Sequence, residues 1–125
     1  MLIERSTLDA LEKTINSLYQ KEFDIYTQYK LLQILKIVKD EKQILTDQIA
    51  SLMEQFGERD EKGDIILVEK GFKIIPEKAQ LCEEKYLELL KMKVQFPEIF
   101  FSLDELKELH LTLEQLNLLE PFIKI

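Results

Sequence analysis

From Asp24 to Phe56 the chain reads DIYTQYKLLQILKIVKDEKQILTDQIASLMEQF, with no glycine and no proline, and Gly57 follows directly. Such a stretch predicts one helix of roughly 33 residues, about 50 Å long at 1.5 Å per residue. Asp24 is placed to cap its start. Gly57 is expected to end it in the left-handed conformation that glycine adopts freely. The two halves of this helix differ. Leu31, Leu32, Ile34, Leu35, Ile37 and Val38 spread over most of the circumference, which predicts burial. Leu31, Leu35, Val38, Lys42, Leu45, Ile49, Leu52 and Phe56 then follow steps of four and three, a heptad seam of coiled-coil type with one polar position.

Upstream, Ser6 is the expected N-cap of a helix over about 6–20. Leu8, Leu11, Ile15 and Leu18 form its apolar seam, and Asp9 stands in the first turn. Residues 6–56 read either as two helices meeting at Asp24 or as one continuous rod. In the first reading Tyr19, Phe23, Tyr26 and Tyr29 make a packed corner. Downstream, the charged loop ERDEKGD precedes two β-branched runs over about 65–75, Ile65 to Val68 and Phe72 to Ile75. Glu69, Lys70 and Gly71 separate them, as in a β-hairpin with a bulged turn. A two-stranded hairpin is marginal alone and needs a helix or another strand beside it. Pro76 opens a helix over about 77–92, and Val94 to Phe96 is a candidate short strand ended by Pro97.

The last quarter repeats itself. Phe101-Ser102-Leu103-Asp104-Glu105-Leu106 matches Leu111-Thr112-Leu113-Glu114-Gln115-Leu116 ten residues later. Each copy places a hydroxyl N-cap three residues before Glu or Gln, with apolar residues flanking the box. Two short helices follow, over about 103–109 and 113–120, with Pro121 stopping the second. Leu106, Leu109, Leu116, Leu119, Phe122 and Ile123 are expected to dock them.

The 125 residues are most simply one domain, 1–125, mainly α, with a long central helix, shorter packed helices, one small hairpin and two capped C-terminal helices. Hydrophobic residues at 46 % and charged residues at 33 % fit a soluble helical chain that needs no disulfide or metal to fold. The lone Cys82 has no partner for an internal disulfide. No apolar run approaches the roughly 18–20 residues of a membrane span. MLIERSTLDALEK lacks the apolar core of a signal peptide, so a cytoplasmic protein is expected. The net charge of −7 disfavours non-specific binding to nucleic acid or anionic lipid.

Order and spacing resemble a family of small, functionally uncharacterised proteins encoded by tailed phages and prophages of Gram-positive bacteria. The resemblance rests on the two-part helical N-terminus, the GERDEKGD loop, the short hairpin, the helix with its ELL core, and SLDELKELHLTLEQLNLLEPFI. Its specific match is Leu119-Glu120-Pro121-Phe122-Ile123 with the two caps before it. Leu113 departs from the family, which often has Pro there. The resemblance implies a phage context in a bacterial host cell and supplies no catalytic residues.

Chemistry-bearing patterns are sparse. One Cys and one His, Cys82 and His110, stand 28 positions apart, without zinc-ligand spacing. Cys82 reads as a buried small hydrophobe and His110 as a helix cap or loop side chain. Glu58, Asp60, Glu61 and Asp64 lack the regular spacing of a calcium loop. The glycines at 57, 63 and 71 form no phosphate cradle. Lysines interleave with carboxylates, as on a solvated face, which argues against both nucleic-acid binding and an acidic mimic of DNA. The sequence therefore predicts no enzyme, no cofactor and no metal. It predicts a non-enzymatic accessory protein working by protein–protein contact, as a virion-assembly helper or a binder of a host factor. A nucleic-acid-associated protein of phage replication or regulation is the alternative. The candidate interface is the second half of the seam, Leu45, Ile49, Leu52, Met53 and Phe56. The seam is open either to packing within this chain or to a partner: a second copy, a phage structural protein or a host protein.

Overall fold

Asp24 is not helical, and its carboxylate accepts the Thr27 N–H at 2.9 Å. That N-cap starts the long helix afresh. The structure, a computed structural model, describes residues 1–19, 24–69 and 71–124. Its elements in order are β1 (Leu2–Glu4), α1 (Leu8–Tyr19), α2 (Ile25–Phe56), β2 (Leu67–Val68), β3 (Gly71–Phe72), α3 (Ala79–Lys91), β4 (Lys93–Gln95), α4 (Leu103–Leu106) and α5 (Leu113–Leu119). Short 3₁₀ turns extend the starts of α1 and α3 and the ends of α4 and α5. The fold is mainly α, as expected. Where the sequence suggests one domain, the contacts group the residues into two compact units, Met1–Lys42 with Lys93–Ile125, and Gln43–Met92. Helix α2 contributes residues to both.

In the first unit, Leu8, Leu11, Ile15 and Leu18 of α1 are buried with Leu31, Ile34, Leu35 and Val38 of α2. Phe96, Phe101, Leu106, Leu109, Leu119 and Phe122 complete this core. The Phe96 and Phe122 rings meet edge to face, with centroids 5.5 Å apart. The polar heptad position now has its reason. Lys42 reaches α1, 3.0 Å from Asp9 and 3.2 Å from Glu12, so the seam's one cation is held by two carboxylates.

Several local expectations are corrected. Ser6 does not cap α1. A 3₁₀ turn over Arg5–Thr7 leads into the helix, and the hydroxyl that bonds there is Thr7, donating to the Glu4 carbonyl at 2.8 Å. Tyr26 and Tyr29 are exposed rather than packed in a corner. Phe23 and the side chain of Tyr19 lie outside the described residues, as does Gln20 at the expected end of the first helix. The chain start, Leu2–Glu4, forms β1. It pairs antiparallel with β4, Ile3 opposite Val94, with both buried. The candidate third strand thus exists, but its partner is β1, not the hairpin.

In the second unit, Leu52, Phe56 and Cys82 form the core, with Phe72, Ile74 and Leu89 packed on it. The hairpin is real but differs in its turn. Val68 pairs with Gly71 and Leu67 with Phe72, which leaves two residues in the loop, of which Lys70 is outside the described residues. Its support comes from the chain just after α2. Glu58 N–H donates to Lys73 O, Lys73 N–H to Ile66 O and Ile66 N–H to Glu58 O, each at 2.8–2.9 Å. Three backbone segments therefore close a ring of hydrogen bonds that an isolated hairpin lacks. Gly57 is not left-handed; among the described glycines only Gly63 and Gly71 have positive φ. Gly57 is instead a close-approach position. A Cβ there would stand 2.5 Å from the Met53 carbonyl oxygen.

Candidate protein-binding surfaces

The seam residues proposed from sequence fall into two groups. Leu52 and Phe56 are buried in the second unit's core. The Lys85 ammonium lies 5.5 Å from the centre of the Phe56 ring. Leu45, Ile49 and Met53 are half-buried. Ile49 lines a groove of about 480 Å³ with Leu52, Phe72, Ile74, Cys82 and Tyr86. The hairpin and α3 thus engage the end of the seam from within this chain. Only its half-buried members retain surface.

Cys82 is buried and faces that apolar groove, and desolvation pushes its thiol pKa up. A raised pKa keeps the thiol protonated, which is the opposite of nucleophile activation. His110 is the left-handed residue that ends the turn after α4, with φ of 51°, and is exposed. His110 and Cys82 belong to different compact units. In the charged loop, Asp60 Oδ1 accepts the backbone N–H groups of Lys62 and Asp64, and Arg59 reaches the Gly63 carbonyl and Glu54. These carboxylates organise a turn. Among the described residues no cluster of three or more His, Cys, Asp or Glu side chains is gathered as a metal would need. Nor is any described helix both long and apolar enough to cross a membrane.

The C-terminal repeat shows what sequence reading missed. Both capping boxes form as written. Ser102 Oγ accepts from Glu105 N–H while Glu105 returns to Ser102 N–H, and Thr112 and Gln115 repeat the exchange. Glu105 does more than cap. Lys30 Nζ donates to both of its oxygens, at 3.0 and 3.1 Å, and the Thr27 hydroxyl stands 3.0 Å away. Burial pushes this carboxyl up, but the Ser102 N–H, Lys30 and Thr27 outweigh it and hold the pKa at about 2.

The two helices bury some of their leucines and turn others outward. Leu106, Leu109, Leu119 and Phe122 dock into the core as expected, and Ile123 is half-buried. Leu116 does not dock; it stays 39 % exposed, beside Leu113 at 86 % and Leu103 at 51 %. These three leucines and Ile123 line a cleft of about 500 Å³, with Asn117 and Glu120 at its edge. One signal for it was present. Leu103 and Leu113 are the first helical residues after their caps, at corresponding positions of the repeat. Three large aliphatic side chains opening on one cleft form an apolar patch at the surface.

No family model, curated protein or solved structure matches this chain.

Proposed function

We propose that this chain is a non-enzymatic accessory protein that works by binding another protein. The observation that supports the reading is the cleft of Leu103, Leu113, Leu116 and Ile123, where apolar side chains gather at the surface beside helices already anchored by their own caps. Its setting, in this proposal, is the cytoplasm of a bacterial host during phage growth, as the resemblance in its sequence implies. There it assists virion assembly or occupies a host factor.

Affinity capture tests the proposal. The tagged full chain is passed through extracts of infected and uninfected host cells. Selective retention of a phage tail or capsid protein supports the assembly role, and retention of a host protein supports the host-factor role. If nothing is retained above the tag control in either extract, the protein-binding reading fails. A mobility shift of DNA or RNA at low salt, paired with that failure, would move the function to nucleic acid.

A further inference from the structure

We draw no further inference here: the strongest candidate, the C-terminal cleft lined by Leu103, Leu113, Leu116 and Ile123, belongs to the surface already described, and with Asn117 and Glu120 as its polar lining nothing in the structure shows what covers it.

Discussion

The Lys30 ammonium stands 3.0 Å from the Glu105 carboxylate, and that carboxylate is also the return arm of the Ser102 capping box. One side chain therefore closes a helix start locally and ties α4 to α2 across 75 residues of sequence. The Thr27 hydroxyl lies 3.0 Å from both Glu105 and Asp24 and has one proton to give, so it serves one acceptor at a time.

This relationship sets an acid dependence. The folded pKa of Glu105 is about 2, against an ordinary value of 4.5. Because the folded value is depressed, its contribution to stability is fully present above the ordinary value and is lost as pH falls toward 2. Urea unfolding at a series of pH values should show the midpoint falling through that window. Glu105→Gln keeps a capping side chain, as Gln115 does in the second box, and should flatten part of the fall. Asp9 and Asp24, also depressed, supply the rest. Glu105→Ala loses the return hydrogen bond and leaves Lys30 without its carboxylate, and should cost about 2 kcal/mol at neutral pH.

Gly57 is constrained by space. An added Cβ meets the Met53 carbonyl oxygen at 2.5 Å and the Ile65 side chain at 3.1 Å, and that carbonyl already accepts the Gly57 N–H at 2.8 Å. Neither backbone group can retreat without breaking the last hydrogen bond of α2. Gly57→Ala is expected to destabilise by about 1–3 kcal/mol, the usual range for overpacking, read as a lower urea midpoint.

The seam separates under single substitutions. Leu52 is buried in the second unit's core, so Leu52→Asp places an unpaired carboxylate among Phe56, Cys82 and Phe72 and should abolish that unit's cooperative unfolding. Ile49 is half-buried at the rim of its groove, and Ile49→Asp should leave the chain folded. Near-UV circular dichroism and thermal melts of the two variants check the contrast; equal loss in both would place Ile49 in the core as well.

Cys82 should behave as a protected thiol. Burial raises its pKa and covers its sulfur, so alkylation of the native chain at pH 8 is expected to be slow. Labelling should become fast in urea, with a midpoint that tracks loss of the second unit's core. Rapid labelling of the native chain would show that this core opens.

Much of this was legible because it is local. A cap joins residues three apart, so Ser102 with Glu105 and Thr112 with Gln115 announced both boxes in the sequence. Heptad spacing marked Leu31, Leu35, Val38, Leu52 and Phe56 as one face of α2, and its polar exception marked Lys42. The face was correct, but spacing could not say which element would cover it. Nor could it assign Ser6, where a 3₁₀ turn displaced the expected cap, or the exposed tyrosines of the first turns of α2.

The sequence by itself determined the length and start of α2, the apolar faces of its helices and the two capped C-terminal turns, since each depends on hydrogen bonds or periodicity within a few residues. Only the tertiary structure decided the rest. It paired Ile3 with Val94, closed the ring of Glu58, Ile66 and Lys73, and made Gly57 a matter of clearance rather than handedness. It buried Leu119 and left Leu113 and Leu116 exposed, because which side of a short helix is covered depends on the elements packed against it and not on its own spacing.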